Sequence, residues 1–95
     1  MKEMTLLEVV KNLSTCDDEL TIYAGRPWDC DSQVVVAREP DQGGWPPEAK
    51  SCGALYFLEV SVAMEVLQGW LATEGRPISF REQCERLIQY ATNDA

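Results

Sequence analysis

The sequence predicts an α+β fold, a small antiparallel sheet of two or three strands packed against about three helices. Three observations predict it. Two β-rich, alternating runs, 20–24 and 33–38, lie close together in the first half of the chain. Apolar residues at helical spacing fill the second half. Two capping boxes, Thr5-Leu6-Leu7-Glu8 and Ser79-Phe80-Arg81-Glu82, mark helix starts near either end.

Each element follows from its own residues. After the first capping box, Leu6, Val9, Val10 and Leu13 recur at helical spacing, which predicts a helix over 6–14. The acidic turn Asp17-Asp18-Glu19 follows it. Leu20, Ile22 and Ala24 share one face of the first strand, which ends at Gly25-Arg26-Pro27. Gln33 to Arg38 forms the second strand, and the two make an antiparallel hairpin with a wide loop. Pro40, Gly43, Gly44, Pro46, Pro47 and Gly53 predict a long loop over 39–53, with neither helix nor central strand. Leu55-Tyr56-Phe57-Leu58 reads either as a third strand or as the start of a helix. Val60, Ala63, Met64, Leu67, Trp70 and Leu71 then share a helical face, with Gly75 as its stop and Pro77 beyond. The last helix carries the stripe Phe80, Cys84, Leu87, Ile88 and Ala91. The expected buried set is Leu6, Val10, Ile22, Val34, Val36, Val60, Leu67, Trp70, Phe80, Leu87 and Ile88. A sheet of so few strands leaves an edge, and 33–38 is the run that could supply it.

A chain of 95 residues makes one domain, 1–95, with one modest core. No apolar run approaches the roughly 18 residues of a membrane span. The start, Met1-Lys2-Glu3-Met4, lacks the features of a secretory leader, so a cytoplasmic protein is expected. The net charge of −8 is concentrated. From Asp17 to Glu48, eight acids face two bases, Arg26 and Arg38, so this third of the chain carries −6. Such a surface repels nucleic acid and anionic membranes and attracts a basic protein. Solubility alone would also account for acidity.

No chemistry emerges from the side chains present. Without histidine, the commonest general base and the usual serine and cysteine triads are missing. Cys30 lies between Asp29 and Asp31, whose charges oppose a thiolate. Gly43-Gly44 lacks the downstream lysine of a phosphate loop. The four cysteines, Cys16, Cys30, Cys52 and Cys84, contain no C-x-x-C pair, so neither a zinc site nor any other cofactor is expected and all four thiols should be free. The expectation is a protein that is not an enzyme.

Certain segments carry a resemblance. Thr21-Ile22-Tyr23 followed by Pro27-Trp28, then Phe57-Leu58-Glu59-Val60, then Glu65-Val66-Leu67-Gln68-Gly69-Trp70, and the ending Tyr90-Ala91-Thr92-Asn93-Asp94, resemble a family of small bacterial proteins of unassigned function. The chain is also similar in general character to toxin-neutralising immunity proteins, which are short, acidic, α+β and cytosolic. Neither resemblance implies a catalytic residue.

The candidate partner-binding residues are Trp28, Asp29, Asp31, Asp41, Trp45 and Glu48. Trp28 and Trp45 stand in predicted loops beside prolines and acids. Large aromatics there suit interface anchors, because they bury much area at little entropic cost. The plainer expectation for either alone is a lid folded back onto the core. Carboxylates around an aromatic can mimic nucleic-acid phosphates in a basic enzyme cleft and speed encounter with it. The expected function is therefore an inhibitor or immunity protein covering the active site of a basic toxin, for instance a nuclease. The alternative is a structural or regulatory interaction domain, as a homodimer, in which the charge serves solubility.

Overall fold

Thr5 both ends the first strand and caps the first helix. In the computed structural model, which describes residues 4–41 and 44–94 without the side chains of Glu48, Cys52 and Asp94, β1 is Met4–Thr5 and α1 is Leu6–Lys11. The Thr5 hydroxyl accepts from the Glu8 N–H at 3.2 Å, and Glu8 Oε1 accepts from the Thr5 N–H at 3.0 Å. The first capping box is thus complete and satisfies two N–H groups near the helix start. α1 stops earlier than its apolar pattern suggested. Asn12 caps it, and Leu13–Thr15 tighten into a 3₁₀ turn that still buries Leu13.

The hairpin joins β2, Thr21–Ala24, to β3, Gln33–Ala37, in a register running from Thr21 opposite Ala37 to Ala24 opposite Val34. The ambiguous run becomes a strand, β4, Leu55–Glu59, antiparallel to β2 on its other side. With β1 paired to Gln33 and Val34, the sheet has four strands in the order β1-β3-β2-β4. β3 therefore lies inside the sheet, and β4 rather than 33–38 is the full-length edge. Ile22 pairs with Leu58 but Tyr23 with Tyr56, so Phe57 is the extra residue of a β-bulge. The bulge lets Phe57 and Leu58 both turn into the core, and puts Tyr56 and Glu59 together on the opposite face.

Two further helices complete the chain, α3, Val60–Glu74, and α4, Phe80–Asp94. Gly75 stops α3 in the left-handed region, φ 66°, which a side chain would resist. Ser79 Oγ accepts from the Glu82 N–H at 3.2 Å, one half of the second capping box. Glu82 does not return the bond to Ser79, because its carboxylate pairs with Arg76 at 3.3 Å.

α1, α3 and α4 cover one face of the sheet. Leu6, Val10, Ile22, Val34, Val60, Leu67 and Leu87 are buried there, each side chain contributing about 1.5–3 kcal/mol through burial. Val36, Trp70 and Ile88 are half-buried against this core. Phe80 departs from expectation and is 46% exposed. It is the first residue of α4, and a helical side chain leans back over the preceding turn, which here does not exist.

The other face holds a second, smaller core of Tyr23, Val35, Ala49 and Ala54. Over it lies α2, Pro47–Cys52, inside the segment expected to be irregular. The helix breakers stand at its ends. Pro46 is the N-cap, Pro47 needs no N–H in the first turn, and Gly53 closes the helix at φ 71°. Covered on both faces, β2 is buried at all four residues. Among the described residues no helix is long and apolar enough to cross a membrane.

Candidate functional site

The hairpin register sends its two flanking loops to opposite ends of the sheet. The 25–32 loop leaves from the Ala24–Val34 end. Its tryptophan folds inward. Trp28 Nε1 donates to the Ala24 carbonyl at 3.1 Å, and its ring stands edge-on to Phe57 with centroids 5.0 Å apart. The Arg26 guanidinium lies over the indole, 4.4 Å from its centroid, so Trp28 is a half-buried lid under a cation.

The next residues form a tight acidic turn. Asp29 Oδ1 accepts from the Asp31 N–H at 2.7 Å, and Ser32 Oγ accepts from the Asp29 N–H at 2.9 Å while donating to Pro27 O at 3.1 Å. Both aspartates stay exposed. The loop is anchored to α1, where Leu6 and Leu7 N–H groups donate to Ser32 and Cys30 carbonyls at 2.9 and 3.0 Å. Beneath it Cys30 is buried and hydrogen-bonds the Arg81 carbonyl at 3.9 Å.

The second loop leaves β3 at the Thr21–Ala37 end and crosses the α2 face. Asp41 is exposed on it. The Glu48 side chain, also expected in the site, lies outside the described residues. Trp45 is 41% exposed and walls a cleft of about 400 Å³ with Tyr23, Glu39, Gly44, Tyr56 and Glu59. Register explains the grouping. Tyr23 and Tyr56 are cross-strand partners whose rings meet edge to face, centroids 6.4 Å apart, and Glu59 shares their face through the bulge.

Tyr23 is only 1% exposed, yet no group among the described residues closes a well-formed hydrogen bond on its hydroxyl. Burial raises the Tyr23 pKa, and the Glu39 carboxylate raises it further, against a smaller opposing effect of the Thr21 side chain. Burial likewise raises the pKa of Tyr56, with Glu59 and Glu39 adding to the effect. The cleft thus holds neutral phenols beside two carboxylates. Neither Glu39 nor Glu59 belongs to either ion pair found among the described residues, Arg38–Glu19 and Arg76–Glu82.

Tyr56 also walls a second cleft, of about 350 Å³, with Arg26, Trp28, Phe57, Val62 and Tyr90. The two tryptophans therefore flank the β4 edge with Tyr56 between them. Asp29, Asp31 and Asp41 line neither cleft. The acids that do, Glu39 and Glu59, were not among the expected site residues, nor were Tyr23 and Tyr56. Glu39 was visible as part of the acidic segment. The other three are assembled only by pairing across β2 and β4.

The thiols fit packing roles. Burial pushes the Cys84 thiol well up, and the neighbouring Cys30 thiol adds to this, while burial also raises Cys16. A protonated thiol is a poor nucleophile. Cys16, Cys30 and Cys84 are free, and the Cys52 side chain lies outside the described residues. Among the described residues no group of three or more His, Cys, Asp or Glu side chains could hold a metal ion. No family model, curated protein or solved structure matches the chain.

Proposed function

We propose that the chain is a protein-binding inhibitor, an immunity protein that neutralises a basic toxin by covering its active site. A nuclease is the kind of toxin whose cleft such acidity would fit. The observation that carries this reading is the rim around β4. Exposed Trp45 and Tyr56 stand beside Glu39 and Glu59, and the further carboxylates Asp29, Asp31 and Asp41 are exposed and outside the ion pairs of the described residues. Apolar anchors amid acids combine affinity with electrostatic steering. The test is capture from the source cell at low salt, then assay of the captured protein's activity with and without the chain. Stoichiometric inhibition that weakens with salt supports the reading. A partner left fully active would sink it.

A second reading rests on the β4 edge itself. Its outer backbone groups have no neighbouring strand in the sheet order, and a second copy could pair there to make a homodimer with a structural or regulatory role. Sedimentation of the purified chain separates the two readings. A stable dimer lost on Tyr56→Pro, with the monomer still folded, favours this one.

A further inference from the structure

The Trp45 cleft contains more than acidity. One of its lining residues, Tyr23, carries a buried hydroxyl that has no partner among the described residues. Leaving such a group unpaired is costly, and a ligand that supplies a donor recovers the lost bond. Trp45 and Tyr56 offer aromatic surfaces, and Glu39 and Glu59 offer two carboxylates outside the ion pairs of the described residues. Anions are repelled by this arrangement and neutral ligands leave the carboxylates unmatched. A cation is drawn to carboxylates and ring faces alike. Among protein cations, guanidinium is planar, lies flat on aromatic rings, and directs five donors in one plane toward several acceptors. An ammonium is a compact, strongly hydrated point charge that matches flat walls less well.

We propose that this cleft receives the guanidinium of an arginine side chain presented by a basic protein, with Glu39 and Glu59 as its counter-charges, Trp45 and Tyr56 as its walls and the Tyr23 hydroxyl as an added acceptor. This rests on the protein-binding reading above and names what that partner must carry. It also shifts the energetic centre of the interface. The Asp29–Asp31 turn steers, and the Trp45 cleft holds.

The test uses the folded chain and short capped peptides containing arginine, lysine or citrulline, followed by the nuclear resonances of Tyr23, Trp45 and Tyr56. The arginine peptide should give saturable shifts confined to those rings. Citrulline, which keeps the shape and loses the charge, should bind about tenfold more weakly or worse. The double variant Glu39→Gln with Glu59→Gln should lose the response, whereas Asp29→Asn with Asp31→Asn should keep it. Tyr23→Phe should weaken binding while the protein stays folded, which separates the hydroxyl's contact from its packing. Absence of saturable shifts, an equal response to citrulline, or persistence in the Glu39/Glu59 variant would overturn the site. Equal binding of the lysine peptide would overturn the guanidinium assignment. The two readings fail separately. A captured partner inhibited equally by the Glu39/Glu59 variant defeats the cleft alone, and arginine binding without any inhibited partner defeats the immunity reading alone.

Discussion

Trp28 meets Phe57 edge to face at 5.0 Å, so the 25–32 loop is tied to the bulge residue of the edge strand. The contact makes Trp28 part of the core's cover, while Trp45 stands 41% exposed on the other side of β4. Trp28→Ala should therefore cost about 2 kcal/mol or more of folding stability, below the full cost of a wholly buried aromatic. Trp45→Ala should cost less than about 1 kcal/mol. Urea unfolding of the two variants checks the order, and a reversed order would contradict the placement of both rings.

The Tyr23 hydroxyl gives a prediction of opposite sign. Removing a buried polar group that has no partner among the described residues relieves its desolvation, so Tyr23→Phe should stabilise the fold by about 1 kcal/mol. Most core substitutions destabilise. A midpoint that falls in denaturant would mean that the hydroxyl is satisfied in solution.

Cys84 sets a pH dependence. Its folded pKa is raised above the ordinary value of 9.0 by burial and by the neighbouring Cys30 thiol. Below that value both folded and unfolded chains hold the proton, and stability is at its full level. Above it the unfolded chain releases the proton first, so stability falls as pH rises, by at most about 1.4 kcal/mol per pH unit from this group. Tyr23 and Tyr56, raised above 10.0, add the same sign at still higher pH. Unfolding midpoints should therefore decline above about pH 9, and Cys84→Ala should reduce the earlier part of that decline, leaving the smaller share that Cys16 supplies. In the native state Cys84 should label slowly, whereas the unfolded chain prepared without reductant should titrate all four thiols.

The contrast between α4 and α2 shows what local sequence can carry. Cys84, Leu87 and Ala91 recur at helical spacing and are buried as that spacing requires. Phe80 has the same spacing but no preceding turn to lean on, a positional fact that periodicity does not encode. α2 was hidden because Pro46, Pro47 and Gly53 are breakers inside a helix yet good termini around a short one. The alternation of β2 sets Ile22 apart from Tyr23, but it does not show that α2 covers the Tyr23 face. In β4 the Phe57 bulge breaks the period of two, which is why Leu55-Tyr56-Phe57-Leu58 read either way. The acidic loops and their tryptophans were legible as residues. Their grouping was not, since Tyr23, Tyr56 and Glu59 meet only through strand register.

Steering and holding should separate in kinetics with the captured partner. Asp29→Asn with Asp31→Asn removes two exposed charges and should slow association and flatten its salt dependence, with little change in dissociation. Trp45→Ala removes an anchor and should speed dissociation, costing about 2 kcal/mol of binding if the ring is a hot spot. Identical rates for both variants and the parent would place the interface elsewhere on the molecule.

The most direct measurement titrates the captured partner's activity with the purified chain. Activity should fall to background near one equivalent, and Glu39→Gln with Glu59→Gln should shift the titration to higher concentration. Full activity in the presence of excess folded chain would contradict it.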